Sequence, residues 1–524
     1  MQSSTPAINA NLFVALSAAF PRDSEACAIE TDSGLHYSWN DLVRGSAMLA
    51  NCLESLELPA GARVLVQVEK SVEALLLYLA CLRAGLIFVP LNTAYQKAEL
   101  ENFISDAEPA VLVCSSSTFA WLSQCAFNAD VSYVFTLNDD RTGSLLERAV
   151  QFPDYQLPHH CKADDPAAII YTSGTTGRSK GAVLSHGNLL DNALVLQSYW
   201  DWQGPQMTRE HGGDVLIHAL PIFHVHGLFV AVHGALLNGS KMIWLARFEP
   251  RSVIAQLPRA TIFMGVPTYY VRLLAQPDWG REDVRSMRLF VSGSAPLLEQ
   301  TFVDWQTRSG KTIVERYGMS ETVMLTSNPC RPGDGPRRAA TVGRPLPGVR
   351  LRIRDGSGGL AAPGEVGEIE VQGSSVFRGY WRNPDRQLLD FTADGYFRTG
   401  DLGQLDADGY VTISGRSKDL IISGGLNVYP AEVEGYINAL PGVAESAVVA
   451  LSDPDFGEVG LALVVPGTGQ TISADEILLH LKKTMANFKV PKRCLLVADL
   501  PRNAMGKVQK KLLRERYAGG GKNT

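Results

Sequence analysis

Tyr171-Thr172-Ser173-Gly174-Thr175-Thr176-Gly177-Arg178-Ser179-Lys180-Gly181 decides how this chain of 524 residues is read. It lies between two short apolar runs, Ala167-Ala168-Ile169-Ile170 before it and Ala182-Val183-Leu184 after it. The first run reads as a buried strand. The loop itself is too rich in Gly, Ser and Thr to pack a core. Glycines let successive N–H groups turn inward and hydroxyls add donors, so such a loop can wrap an anion. Lys180 supplies a point charge on a long stem, suited to phosphate. No Gly-Lys-Ser/Thr closes the stretch, so it is not a P-loop. Taken alone, it reads more readily as a plain connection between two strands, and the rest of the chain has to decide.

Working outward, more motifs follow in order: Ser292-Gly293-Ser294-Ala295-Pro296, then Tyr317-Gly318-Met319-Ser320-Glu321-Thr322, then Tyr396-Phe397-Arg398-Thr399-Gly400-Asp401. After them come Gly415-Arg416-Ser417-Lys418-Asp419, Ser423-Gly424-Gly425-Leu426-Asn427 and Pro501-Arg502-Asn503-Ala504-Met505-Gly506-Lys507. In this order, and spread over residues 12–517, they resemble the acyl-adenylate-forming superfamily. That superfamily includes acyl-CoA synthetases, luciferases and the adenylation domains of peptide synthetases.

Size and composition agree with that class. The chain is too long for one simple core, so two or more domains are expected. A net charge of −6 gives no electrostatic case for nucleic acid. Eight cysteines are scattered without a C-x-x-C pair, which speaks against a zinc site and a disulfide framework and for reduced thiols. The N-terminus lacks the basic and apolar regions of a signal peptide, and apolar runs such as 74–82 are too short to span a bilayer. A cytoplasmic enzyme acting on small molecules is expected, with no membrane or nucleic-acid partner, as a monomer or homodimer.

The first half alternates helix and strand signals, the mark of a parallel sheet with covering helices. Helices are expected at 38–56 and 72–84, the latter closing at Gly85. Strands are expected at 63–68, 86–90, 110–114, 215–220, 241–245 and 288–292. From 341 onward short apolar segments separated by Gly and Pro predict antiparallel strands with tight turns. A compact α+β unit follows Arg416. The expected fold is α/β: a large N-terminal domain of αβ-layered sheets with a small β-barrel-like piece, and a small α+β C-terminal domain. The resemblance implies that the C-terminal domain is a lid, dividing the chain into 1–417 and 418–524 with a hinge at Lys418.

The resemblance also implies the chemistry. A carboxylate and ATP give an acyl-adenylate and pyrophosphate, and CoA then takes the acyl group. Thr172, Ser173, Gly174, Thr175, Thr176, Gly177 and Lys180 would hold the outer phosphates. Gly293, Ser294, Ala295 and Pro296 would wall the adenine, with Tyr317, Gly318 and Ser320 beside it. Asp401 and Arg416 would hold the ribose and a phosphate. Glu321 would be the Mg²⁺ ligand; read by itself it is equally a helix-start carboxylate. Lys507 would reach the reacting carboxylate, although composition alone makes it one solvated lysine among several. Thr172, Glu321, His224 and Lys507 form the implied catalytic set. Gly424 and Gly425 would line the CoA thiol's path once the lid has turned.

For the acid, Pro221-Ile222-Phe223-His224-Val225-His226-Gly227 and Gly265-Val266-Pro267-Thr268-Tyr269-Tyr270-Val271-Arg272 match the pocket mouth and wall. With Glu315-Arg316-Tyr317-Gly318-Met319, they look like the malonyl-CoA synthetases within the superfamily. On that resemblance Arg272 and Ser294 hold a distal carboxylate, Arg288 is a second candidate, and Met319 limits chain length. Arg272 also fits a surface position on the helix running into Leu273. Methylmalonate, succinate and uncharged short or medium acids stay open as substrates. The rivals from outside this chemistry are a carrier-loading adenylation enzyme and a non-catalytic nucleotide-binding protein.

Overall fold

The alternating signals of the first half resolve into two largely parallel sheets. The computed structural model describes residues 9–172, 180–204, 213–424, 426–503 and 506–517. Among them, Ile313–Tyr317, Leu289–Ser292, Ile262–Gly265, Val215–His218, Lys241–Trp244 and Cys27–Thr31 lie side by side and parallel in that spatial order. Short antiparallel strands finish both edges. The second sheet runs Tyr133–Thr136, Val111–Cys114, Arg63–Gln67, Ile87–Pro90 and Pro166–Thr172, all parallel, and ends on antiparallel Lys180–Ser185. These strands read as nearly unbroken apolar runs because both faces are covered.

The helix Val72–Arg83 shows what joins the sheets. All 12 of its residues are buried, and Ser71 caps it by accepting from the Ala74 N–H. Gly85, at φ +65°, turns the chain out of it as expected. One core cluster takes Leu75, Leu77 and Leu79 from this helix, Val64 and Phe88 from the smaller sheet, and Leu216 and Met242 from the larger. A helix that is apolar on all sides belongs between two layers. Truncating such a side chain to alanine costs about 2–5 kcal/mol.

The stretch expected to be barrel-like is a four-stranded antiparallel meander, Arg350–Arg354, Gly367–Gln372, Phe397–Leu405 and Val411–Arg416. It is an open sheet, since its first and last strands do not pair among the described residues. Beyond it lies a smaller domain on a separate five-stranded sheet built around the hairpin Val443–Asp453 and Gly457–Pro466. Val448, Ala462 and Val464 face one core and Ala447, Val449, Leu461 and Leu463 face another, the period-two alternation of strands covered on both sides. Neither core includes a buried residue from the larger domain. No helix among the described residues is long and apolar enough to cross a membrane.

This architecture places the site. In open α/β sheets the crevice outside the carboxyl ends of the strands takes ligands. His218, Gly265, Ser292 and Tyr317 end four neighbouring strands of the large sheet.

Candidate active site

The glycine-rich stretch joins two antiparallel strands of a hairpin, with Thr172 opposite Lys180 in register and the Thr172 hydroxyl 3.5 Å from the Lys180 carbonyl. Ser173, Gly174, Thr175, Thr176 and Gly177 lie outside the described residues, as does Gly425. The Lys180 ammonium is nearly enclosed, 4.9 Å over the Tyr380 ring and 3.9 Å from Asp390. Burial, and then the Arg386 charge, push its pKa down. Tyr380 also donates to Glu321 Oε1 at 2.9 Å, and burial raises the Glu321 carboxyl. A buried cation and a buried carboxylate thus share one aromatic neighbour. Among the described residues no cluster of three or more His, Cys, Asp or Glu could cage a metal. A single carboxylate completed by phosphate oxygens and water is the usual manner of holding Mg²⁺, and Glu321 fits it.

Asp401 organises the next group. Cross-strand register sets it opposite Arg416, whose Nε lies 2.7 Å from Oδ1. Tyr317 donates its hydroxyl to Oδ2 at 2.5 Å. Each carboxylate oxygen has one protein donor and so keeps a lone pair for a further hydroxyl. Tyr317 is therefore held by its hydroxyl, with its ring packed along the core edge. Gly318 admits no side chain, because a Cβ there would run into the Val323 carbonyl. Val323, a β-branched residue at φ +57°, carries the strain of this tight turn after Glu321.

On the acyl side the chain enters a π-helical segment, His226–Val232, buried throughout. Such segments are rare and recur at functional sites. The His226 N–H donates to His224 Nδ1 at 3.2 Å, so Nε2 of the neutral ring carries the proton and is the donor. Burial, then the Arg316 and Lys507 charges, push His224 down to about 3, so it stays neutral. Ser294, at φ +72°, brings its Oγ to 3.4 Å from His226 Nδ1. Gly293 is required for a plain reason: a Cβ there would overlap the Arg316 guanidinium. Ala295, Pro296 and Ser320 continue the two turns, and Met319 packs half-buried against the core.

Lys507 comes from the smaller domain. Its turn is closed by Gly506 N–H to the Asn503 carbonyl at 2.8 Å and by Arg502 Nη1 to the Gly506 carbonyl at 2.5 Å. The turn stands on the wall helix, where a Cβ on Gly506 would lie 2.7 Å from Thr268 Oγ1. Desolvation by the surrounding atoms, then the Arg416 charge, push the Lys507 ammonium down to about 8, with Asp401 pulling the other way, while the side chain stays open to solvent. Gly424, at φ +56°, lies in a different part of that domain, its N–H on the Phe456 carbonyl. Ile422, Leu426 and Phe456 are 52, 49 and 41% exposed around it.

Two expected acid-binding residues are placed differently. Arg288 precedes the strand Leu289–Ser292, so it sits at the amino end of the sheet, away from the cleft. There it pairs with the carboxylate of Asp214 and donates to the Trp200 carbonyl at 3.1 Å. It ties strands together and is not an acid-binding group. Arg272 is exposed, with no carboxylate partner among the described residues. It follows Thr268 by one helical turn, on the face toward the Lys507 turn, and its charge bears on Arg502 across the gap. It lines the rim and not the pocket floor. The sequence reading did not single out Tyr380, and it quoted His226 and Arg316 within motifs without giving either a role. Tyr380 stands in Arg378-Gly379-Tyr380-Trp381, where a glycine beside two aromatics was a usable signal.

A cleft at the strand ends with a buried lysine, a carboxylate that keeps free lone pairs and a lysine from a second domain has the groups that a nucleotide substrate would need. The family model for AMP-binding enzymes matches residues 15–381, and that for their C-terminal domain matches residues 432–507. The chain belongs to the AMP-binding enzyme family. It is 32% identical to the malonate–CoA ligase of Arabidopsis thaliana, over 96% of this chain and 89% of that one. It is 33% identical to the feruloyl-CoA synthase of an Amycolatopsis species, over 92% and 94%. Among solved structures, ATP-bound MatB from Rhodopseudomonas palustris is 48% identical, with a TM-score of 0.93 over 98% of this chain and 99% of that one. The apo form of the same protein gives 0.82 over the same shares, at 49% identity.

Proposed function

We propose that the protein is an AMP-forming acid–thiol ligase that joins malonate to CoA. The observation that carries the reading is the convergence of Lys180, Glu321, Asp401, Arg416, His224 and Lys507 on one cleft from both domains. Lys180 and the hairpin hold the outer phosphates of ATP, and Asp401 accepts the ribose hydroxyls. Mg²⁺ on Glu321 would screen phosphate charge. An oxygen of the acid attacks the α-phosphorus and pyrophosphate leaves. Lys507 offsets the charge of the two approaching anions, and His224 donates from Nε2 into the cleft. Fixed donors aimed at developing charge are the usual source of such rate enhancement. The CoA thiol then attacks the acyl carbon and AMP departs.

The choice of malonate is supported by the Arabidopsis relative and by a cationic acyl side. Since an aryl-acid relative is equally similar in sequence, identity alone does not select the acid. Arg272 and Lys507 give the rim a positive character suited to a doubly charged acid, while Arg502 beside them is paired with Glu445. For the thiol step, the smaller domain turns about Lys418 and brings the Gly424 hairpin, with its exposed Ile422 and Leu426, over the cleft. The eight cysteines, all unpaired, support a reducing, cytoplasmic setting. The test is AMP and pyrophosphate release with CoA across malonate, methylmalonate, succinate, butyrate and ferulate. Malonate should give the highest kcat/KM, and a preference for butyrate or ferulate would overturn the choice of acid.

A further inference from the structure

The large sheet has a second opening, at the end opposite the cleft. Arg288 precedes the strand Leu289–Ser292, and Lys311 and Thr312 precede the strand Ile313–Tyr317. Together with Cys330, Arg331 and Arg337 they line an open cavity of about 320 Å³, at the small end of the range for ligand pockets. The rest of the lining is glycine and proline, with no carboxylate and no aromatic ring among the described residues. The two strands are 4 and 5 residues long. Roughly 15 Å of extended chain therefore separates this cavity from Ser292 and Tyr317 at the cleft.

Four cations line the cavity, and their charges are only partly met. Arg288 pairs with Asp214, and Arg331 Nη2 lies 3.1 Å from Asp201 Oδ1; neither carboxylate belongs to the lining. Arg337 has no acid at all. Its Nε donates to the Pro329 carbonyl at 3.0 Å, its Nη1 to the Thr312 carbonyl and hydroxyl at 2.9 Å, and its Nη2 to the Cys330 carbonyl at 3.2 Å. Burial pushes its pKa down, and no carboxylate pulls it back. Lys311 is half-buried and has no carboxylate partner among the described residues. Four cations against two carboxylates leave two positive charges unmatched, in a chain whose net charge is −6. A cavity lined by one sign of charge concentrates the opposite ion.

We propose that this cavity is a second anion site, separate from the cleft, that takes a compact polyanion of the diphosphate class. The four cations divide the work. Arg288 and Arg337 have spent their donors on Asp214 and on carbonyls, so they supply fixed charge. Lys311 brings an ammonium, and Arg331 uses only Nη2 in its own pairings among the described residues, so these two supply donors. The Thr312 hydroxyl accepts from Arg337 and keeps its proton to donate. No ring is present on which a base could stack, so the ligand is a diphosphate and not a nucleotide.

The probe is inorganic pyrophosphate, titrated calorimetrically into the full chain at an ionic strength of about 0.15 M. The cleft is first saturated with α,β-methylene-ATP and Mg²⁺ to keep pyrophosphate out of it. Wild type should bind one equivalent. Lys311→Glu and Arg331→Gln should each weaken that binding by about tenfold or more, the scale of a hydrogen bond to a charged group. Cys330 locates the ligand, because its thiol lines the cavity. Pyrophosphate should slow its alkylation by iodoacetamide, read by peptide mass spectrometry, and leave Cys27, on a distant strand of the sheet, unchanged. No binding at this ionic strength, binding untouched in both variants, or equal protection of Cys27 and Cys330 overturns the site. Where Cys330 resists alkylation, the two variants decide alone. They also assign the binding whether or not the analogue fills the cleft, so a failure of the nucleotide reading would show as a failure of the analogue to bind.

Discussion

Lys507 and His224 face the same space with opposite roles in charge, and this makes their pH behaviour separable. At about 8, the Lys507 ammonium is charged below that pH and loses its proton as pH rises through it. The kcat/KM of the adenylation half-reaction reports the free enzyme, so it should fall on the alkaline side with a midpoint near 8. Lys507→Arg, whose side chain stays charged, should move that limb out of range even where it slows the reaction. His224, neutral down to about 3, should add no limb in the usual histidine range. Pyrophosphate exchange across pH 5–10 checks both. Lys507→Ala should slow adenylation by roughly a hundred- to a thousandfold and spare thioester formation from supplied malonyl-adenylate. Equal loss of both half-reactions would remove Lys507 from its role. Tyr380 offers another single-atom test. Tyr380→Phe deletes the donor to Glu321, so half-maximal adenylation should need about tenfold more Mg²⁺; unchanged Mg²⁺ dependence would detach Glu321 from the metal.

The strands flanking the glycine-rich stretch, the Asp401 strand and the Lys507 turn were readable from the chain, the latter two because each couples a glycine to a charged residue. Register then did the rest: Asp401 meets Arg416 because their strands are neighbours in a meander. Arg288 and Arg316 show where that legibility stops. Both are arginines beside apolar strands. One precedes its strand and lands at the amino end of the sheet, whereas the other sits one residue before the carboxyl end of the next strand. The carboxyl-end rule for parallel sheets was enough to set Arg288 aside. Nothing in the sequence shows that Gly293 lies over Arg316, since that contact joins two different strand ends. The turn Ser417–Asp419 is the element to probe for rotation. Its Lys418 carbonyl accepts from Arg514 at 3.3 Å, and it follows directly on the last strand of the meander. Lys418→Pro fixes φ near about −65° and removes an N–H. If the smaller domain turns here after adenylation, the variant should still exchange pyrophosphate while its CoA thioester output falls. Normal overall turnover would put the hinge elsewhere.

The arrangement of the two domains ties these parts together. Lys507 reaches the cleft while the Gly424 hairpin, with its exposed Ile422 and Leu426, stands in a different part of the smaller domain. The central claim is that malonate reaches CoA through an adenylate, and the fate of one oxygen atom tests it most directly. With malonate labelled by ¹⁸O in its carboxylates, attack on the α-phosphorus makes a carboxylate oxygen the bridge, and thiol attack on the acyl carbon leaves that oxygen on AMP. Mass spectrometry of the products should find malonyl-CoA together with AMP carrying one ¹⁸O and unlabelled pyrophosphate. ADP with labelled inorganic phosphate, or malonyl-CoA formed beside unlabelled AMP, would contradict it.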